Sequence, residues 1–366
     1  MNELQQILEK ISTFASDQAE IRLATLVRAE GSTYRDVGAR MLVEKNGNVY
    51  GTISGGCLEG DVVDTALRMG TESVLKEYDT TSEEDIYWGT GMGCGGVTTV
   101  LIENISDFAP YMKMKALLEK RIRCVAVTVF KVSEPGGFTG LSAVSDGTDA
   151  YAVNVDLLEL YNEHIVSVLK KRRSTIRTIE YQGQTFETLF EHVEPIQQIV
   201  LFGDGHDVLP VMEVCKQLGW EVHIVATKES LALPERFPAA SSIKAWSHME
   251  TLPNEQTPCV IMTHNYLLDK EILKTLLPSD VPYIGFLGPK KRGVRLLTEA
   301  LDEGLKVSEE QKNRYYSPIG LDIGAASANE IAISVVSEIL SVLRSRNGGN
   351  LRDRIGPIHG RKAIDQ

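Results

Sequence analysis

One stretch constrains the fold more than any other: IQQIVLFGDGHDVLPVMEVCKQLGWEVHIVAT, residues 196–227. An apolar run ends in a glycine-bearing turn, passes into helically spaced apolar residues, and returns to a second apolar run. Strands joined through a helix pair in parallel, and a parallel sheet is covered on both faces. Two later apolar runs, CVIMTH and YIGFLG, each precede a helical pattern, as an open parallel sheet requires. Residues 194–345 therefore read as a Rossmann-like domain. Its last helix is announced by Ser327 and by Glu330 three residues on, a capping box leading into IAISVVSEILSVL.

Residues 1–193 follow a different grammar. Alternating apolar positions mark RLATLVRA, ARMLVEKNGNVYGTIS with its Asn46-Gly47 turn signal, VTTVLIEN, RCVAVTVFKV and LSAVSDGTDAYAVNV as strands of an antiparallel or mixed sheet. Helical segments interleave near Leu58, around residues 108–120 and around residues 156–171. The chain is thus expected to be α/β: an N-terminal α+β region, with an internal boundary placed near residue 105, followed by the Rossmann-like open parallel sheet. The tail, residues 346–366, is basic and aperiodic and reads as mobile unless docked on a partner. No internal repeat or low-complexity tract is visible.

With 50 acidic against 38 basic residues, the formal charge of -12 disfavours nonspecific nucleic-acid binding. No apolar run approaches the roughly 20 residues of a membrane span. The N-terminus lacks the basic and apolar regions of a signal peptide, so a cytoplasmic location is expected. Five cysteines, scattered and without a CxxC pair, argue for reduced thiols rather than disulfides or a structural zinc site. Small molecules and other proteins are the expected partners.

The turn GDGHDV sets Gly203, Gly205 and His206 at the start of a helix, where main-chain N–H groups favour an anion. Its third glycine position is Val208, and the second strand ends in Ala226, Thr227 and Lys228 without the acid that an NAD ribose requires. The NAD(P) signal is therefore incomplete, and a tight turn without ligand explains the loop as well. His206 orients a ligand on one reading and is a turn residue on the other. Lys290, Lys291, Arg292 and Arg295 crowd a helix start, which suits a bound anion or a solvated basic face. Asp322, between two glycines, either accepts hydrogen bonds from a heterocycle or holds its own turn.

Two cysteines are framed by glycine: Cys57 in GTISGGCLEGDV and Cys94 in GTGMGCGG. Glycine permits positive φ and close approach of a ligand to the backbone, so Gly55 and Gly56 beside Cys57, and Gly95 beside Cys94, suggest an exposed thiol or a buried small hydrophobe in a turn. Helix onset after Cys57, with Arg35 and Arg40 upstream, favours a reactive thiolate there. Glu59 either stabilises the first helical turn or handles protons. Cys124, Cys215 and Cys259 fit core positions.

The ordered set GSTYRDVGARM, GTISGGCLEGDV, GMGCGG, LFGDGHDV, VIMTHNYLLD, YIGFLGPKKR and SPIGLDIGAASANEIAISVVSEI resembles the XdhC/CoxI family, accessory proteins for molybdenum-containing xanthine dehydrogenases and related hydroxylases. The resemblance covers about residues 24–103 and 195–341; the middle stretch carries no family signature. It implies a chaperone that binds molybdenum cofactor (molybdopterin), protects it while a cysteine desulfurase supplies a terminal sulfido ligand, and delivers it to an apo-enzyme of the xanthine dehydrogenase type. It places the family's GGGC cysteine on Cys57, its GCGG cysteine on Cys94, and its GxGH on Gly203, Gly205 and His206. The two thiols become candidate molybdenum contacts, with sulfur handling assigned to Cys57. Ser54 stands where the family pattern has glycine.

Three function classes stay open on sequence grounds: a cofactor chaperone, an NAD(P)-dependent oxidoreductase, and a noncatalytic adaptor docking the desulfurase or apo-enzyme. A homodimer is compatible with each.

Overall fold

The computed structural model describes residues 3–17, 20–31, 33–80, 96–134, 138–249, 251 and 253–355. Two compact units emerge, one taking in the described residues up to Pro195 and the other Ile196–Asp353.

The first unit begins with α1 (Glu3–Asp17), β1 (Ile21–Gly31), β2 (Arg40–Glu44), β3 (Val49–Gly51), α2 (Glu59–Arg68), β4 (Val74–Asp79) and β5 (Gly96–Asn104). The β2–β3 hairpin turns at Asn46-Gly47 as expected, with Gly47 at φ +86° and the Asn46 side chain accepting from the Asn48 N–H. All pairings are antiparallel, in the order β3-β2-β1-β5-β4. The central strand β1 is almost wholly buried through Ala29 because both its faces are covered.

The chain then repeats itself. After α3 (Ala109–Glu119) come β6 (Cys124–Val132), β7 (Gly140–Ser145), β8 (Ala150–Ala152), α4 (Val155–Lys171), β9 (Thr175–Tyr181) and β10 (Gln184–Val193), paired antiparallel in the order β8-β7-β6-β10-β9. Among the described residues, helix, three strands, helix and two strands thus recur with the same strand order. The reading of no internal repeat is corrected: the repeat lives in topology and register.

The register shows how far the likeness goes. Leu23 pairs with Glu103 and Ala126 with Glu191; Thr25 pairs with Leu101 and Thr128 with Leu189. Each central strand bulges at its seventh residue, Val27 in β1 and Phe130 in β6. These two side chains meet Leu101 and Leu189 in one buried cluster, so the modules share a core at equivalent positions.

Each module also sends a glutamate into the other. Glu191 of β10 lies against Gly38 and pairs with Arg40, while Glu103 of β5 lies against Gly140 and accepts a backbone hydrogen bond from Leu141. Gly38 at φ +89° and Gly140 at φ +130° both lack room for a Cβ, which would collide with the inserted carboxylate. The symmetry breaks at one position: Arg40 faces Thr25 where Leu141 faces Thr128, so Glu191 has a cation and Glu103 has a tyrosine, Tyr111, instead.

The second unit is the parallel sheet. It comprises β11 (Gln198–Phe202), α5 (Val208–Gln217), β12 (Glu221–Ala226), β13 (Ser242–Ala245), β14 (Cys259–Ile261), α6 (Tyr266–Leu276), β15 (Ile284–Phe286), α7 (Lys290–Asp302), α8 (Glu309–Lys312), β16 (Tyr315–Tyr316) and α9 (Ala328–Leu343). Every pairing is parallel, in the order β13-β12-β11-β14-β15-β16. One core packs α5 and α9 on one face and a second packs α6 and α7 on the other. The strand order reverses between β11 and β14, which opens a crevice at their carboxyl ends. The capping box at Ser327 and Glu330 starts α9 as its sequence announces.

Candidate functional site

In the first unit the loop from Thr52 to Leu58 leaves β3 and enters α2. Its shape comes from two side chains. The Ser54 hydroxyl, itself buried, accepts from the N–H groups of Gly56 and Leu58 at 3.2 Å each and donates to Glu59 at 2.5 Å. The Glu59 carboxylate also accepts from the N–H groups of Ile53, Ser54 and Leu58 at 3.2, 2.8 and 3.2 Å. Burial pushes the Glu59 carboxyl up, but hydrogen bonds from the Ser54 side chain and neighbouring N–H groups hold it below the usual carboxylate range. Glu59 is thus the organiser of this loop.

Upon that frame sits the exposed Cys57 thiol, donating to the Ser54 hydroxyl at 3.5 Å. Gly55 and Gly56 are exposed on its N-terminal side; Gly56, at φ +109°, has open space where a Cβ would stand, and the Tyr34 ring lies across Gly55. A soft sulfur beside bare, pre-shaped backbone suits a bulky ligand that needs close main-chain approach. The connection carrying Cys94 and Gly95 leaves from Thr80 and rejoins at Gly96, which are hydrogen-bonded to each other. Gly96 pairs with Gly31 at the last residue of β1, whereas Gly51, after which the Cys57 loop departs, pairs with Met41 and so lies level with Ala24. Cys94 and Gly95 lie outside the described residues.

The two arginines do not act together on Cys57. Arg35 is held by the Glu3 carboxylate and by the Thr52 hydroxyl at 2.8 Å, so it braces the loop's first residue. Arg40, 4% exposed, is committed to Glu191 and to the Gly38 carbonyl. The expectation that Arg40 serves a ligand is corrected: a guanidinium this buried and paired is the internal counter-ion of Glu191.

The Rossmann unit places its polar groups differently from the sequence reading. Gly203 lies so close to the Met262 carbonyl that a side chain would collide, which explains the first glycine. The Asp204 carboxylate accepts from the Thr227 N–H and hydroxyl at 2.6 Å each, closing the end of β12. At Gly205 a Cβ would strike the folded-back Asp207 carboxylate, whose other contact is His264 Nε2 at 2.8 Å. His206 is exposed and stands outside the crevice wall; the imidazole that lines it is His264, 57% exposed and at φ +61°.

The crevice itself is a cavity of about 510 Å³. Val211, Met262, Leu287, Ile331 and Val335 give it apolar walls, and Asp207, His264 and Arg292 its polar ones. Arg292 is fixed by the buried Asp269 carboxylate at 2.5 Å, which also accepts from Thr263 at 2.6 Å. Its guanidinium lies 5.6 Å from the Phe286 ring centroid, and its Nε–H is buried without an acceptor among the described residues. Glu338 accepts from the Gly320 N–H at 3.0 Å, pinning the β16–α9 loop so that Pro318 and Ile319 complete the wall. Asp322, exposed on that loop, does not line the cavity. Among the described residues no group of three His, Cys, Asp or Glu side chains is placed to hold a metal ion, and no helix is long and apolar enough to cross a membrane.

Residues 199–339 match the XdhC Rossmann domain and residues 15–79 match the XdhC and CoxI family. The chain is 30% identical over 340 residues to a probable xanthine dehydrogenase subunit of Bacillus subtilis (strain 168), covering 90% of this chain and 95% of that one. This chain belongs to the XdhC/CoxI family. An Escherichia coli (strain K12) relative, the molybdenum cofactor insertion chaperone PaoD, is 22% identical over 87% of this chain and 82% of its own length. A crystal structure described as a xanthine dehydrogenase from Bacillus halodurans superposes with a TM-score of 0.72 at 29% identity, covering 93% of this chain and 96% of that one.

As a member of the XdhC/CoxI family, the chain keeps Cys57 and Glu59 inside one matched segment and Asp207, His264, Asp269 and Arg292 inside the other. Sequence reasoning singled out neither Asp207 nor His264. The motif VIMTHNYLLD contained the signal: Asn265 caps α6, and the Thr263 hydroxyl binds Asp269. Nothing local marks His264 for the left-handed turn that directs it to Asp207.

Proposed function

We propose that the protein is a maturation factor for a molybdenum hydroxylase. It binds molybdenum cofactor as cargo, shields it while a cysteine desulfurase supplies the terminal sulfido ligand, and hands it to an apo-enzyme of the xanthine dehydrogenase type. The observation that carries this reading is the exposed Cys57 thiol on a loop that is bare at Gly56 yet fixed by Ser54 and Glu59. Membership in the XdhC/CoxI family and the cofactor-insertion role for which PaoD is named support it.

The chemistry suits the loop. The cargo is a pterin dithiolene with a phosphate tail, so it presents a soft metal to a thiolate and hydrogen-bond acceptors to main-chain N–H groups. In this reading Cys57 contacts the metal or its incoming sulfur, Gly55 and Gly56 let the cargo approach, and Cys94 supplies a second thiol. Glu59 is a positioning residue that holds the loop open.

Reconstitution tests the delivery step. Apo-xanthine dehydrogenase is mixed with released cofactor, L-cysteine and desulfurase, with or without the protein. The proposal expects activity to rise with wild type and not with Cys57→Ala; equal activation without the protein would refute it.

A further inference from the structure

The second module of the first unit holds a cavity of its own, in a stretch that neither matched family segment covers. Register places it. Ala152 pairs with Ala143 and Ala143 with Val127, the fourth residue of β6, just as Gly51 pairs with Met41 and Met41 with Ala24, the fourth residue of β1. The connection from β8 into α4 is therefore the counterpart of the loop that carries Cys57, and the β9–β10 turn is the counterpart of the connection between β4 and β5. Where the first module uses residues 52–58, the second uses only Val153 and Asn154, and beside them opens a cavity of about 400 Å³. That volume falls within the roughly 300–1,000 Å³ of small-molecule sites.

We propose that this cavity binds an uncharged flat heterocycle, with the edge chemistry of a free purine or pteridine base, and rejects the phosphorylated forms. The assignment follows from what the walls offer. Phe138, Tyr161, Tyr181 and Phe186 bring four aromatic rings, which favour a flat aromatic ligand. Phe138 is 47% and Val153 42% exposed, so apolar surface at the mouth stays in water until a ligand covers it. The polar wall is made of carboxamides, each with one end already used. Gln182 donates to the Tyr181 hydroxyl at 2.9 Å and Gln184 to Glu134 at 2.7 Å, which leaves their two carboxamide oxygens as acceptors. Asn154 accepts from the Asp156 N–H at 3.0 Å as the cap of α4, which leaves its NH₂ group as a donor. A ring edge that both donates and accepts matches this set. Among the described residues no charged side chain lines the cavity, and the ionised partners of its wall, Asp156 and Glu134, are both carboxylates. A phosphate there meets repulsion and no cation. The site lies within the second module and does not depend on the cargo role of Cys57.

The test is calorimetric titration of the full chain with hypoxanthine, pterin and inosine 5′-monophosphate. Wild type is expected to bind hypoxanthine, pterin or both, and to bind the monophosphate about tenfold or more weakly than the better of the two. Binding of only hypoxanthine identifies a purine site; binding of only pterin identifies a pteridine site; either supports the proposal. Val153→Trp, at an exposed position lining the cavity, should abolish binding with an unaltered melting temperature. Gln184→Leu removes one acceptor and should weaken the bound ring about three- to tenfold. The proposal is overturned if wild type binds neither ring, if Val153→Trp or Gln184→Leu binds as wild type does, or if the monophosphate binds best. Cys57→Ala is expected to titrate as wild type does, so a change in its molybdenum retention bears on the cargo role and leaves this site standing.

Discussion

Arg40 and Glu191, 151 positions apart in sequence, form a two-pronged ion pair at 3.0 and 2.5 Å with both residues buried. Arg40 belongs to the first helix-and-sheet module and Glu191 to the second, so the pair ties the duplicated halves together. Removing one member strands a buried charge. Arg40→Met or Glu191→Met alone should cost about 3–5 kcal/mol, and the double variant much less than the sum. Urea denaturation in a double-mutant cycle measures this; additive costs would show that the pair is not the link.

Glu103 is the pseudo-symmetric counterpart of Glu191 and has no arginine of its own. Burial pushes its carboxyl up to about 7, against the opposing effects of the Tyr111 hydrogen bond at 3.1 Å and the Arg40 charge. The unfolded value is about 4.3, so between these limits the folded chain holds a proton that the unfolded chain has released. Stability contributed by the protonated group is therefore present at low pH and lost as pH rises to about 7. Glu103→Gln should match wild type near pH 5 and exceed it by about 1–3 kcal/mol near pH 8. Parallel stability curves for the two proteins would contradict this account.

The Rossmann unit was legible because strand, turn and helix signals lie within short windows: the β11–α5–β12 run and the Ser327–Glu330 cap are local. The repeat in the first unit was not, because it is written in pairing between distant strands. Thr25 and Thr128 occupy equivalent positions, but their partners Leu101 and Leu189 are fixed only once the sheets form. The β9–β10 hairpin went unread although TIRTIEY alternates and Gln182-Gly183 turns at φ +50° and +79°. In the loop after β3, the exposure of Cys57 agrees with its local glycine frame, whereas the commitment of Arg40 to Glu191 and the His264–Asp207 contact arise from long-range packing.

Exposure separates the thiols. Cys57 is exposed, whereas burial pushes Cys124 and Cys215 up to about 12 and raises Cys259 further. At pH 8 Cys124 and Cys215 carry less than about a thousandth of the thiolate of an ordinary cysteine, and Cys259 less again. Iodoacetamide followed by peptide mass spectrometry should label Cys57 within minutes and these three only after denaturation. Comparable labelling of Cys124 in the native protein would contradict the packing.

Glu59 holds the Cys57 loop by accepting from three N–H groups and the Ser54 hydroxyl. Glu59→Ala leaves the Ile53 and Ser54 N–H groups without this acceptor, while the Leu58 N–H keeps the Ser54 hydroxyl, at a cost of about 1–3 kcal/mol. Glu59→Gln keeps one carbonyl oxygen and should lose less. Hydrogen exchange at Ile53 and Ser54 reports the difference directly; unchanged protection in Glu59→Ala would remove the positioning role.

The most direct test of the cargo role is molybdenum and pterin content after incubation with released cofactor and gel filtration, comparing wild type, Cys57→Ala, Cys94→Ala and the double variant. The account predicts that wild type retains molybdenum and pterin together and that a folded Cys57→Ala variant loses them. Wild type emerging free of both, or Cys57→Ala retaining them in full, would contradict it.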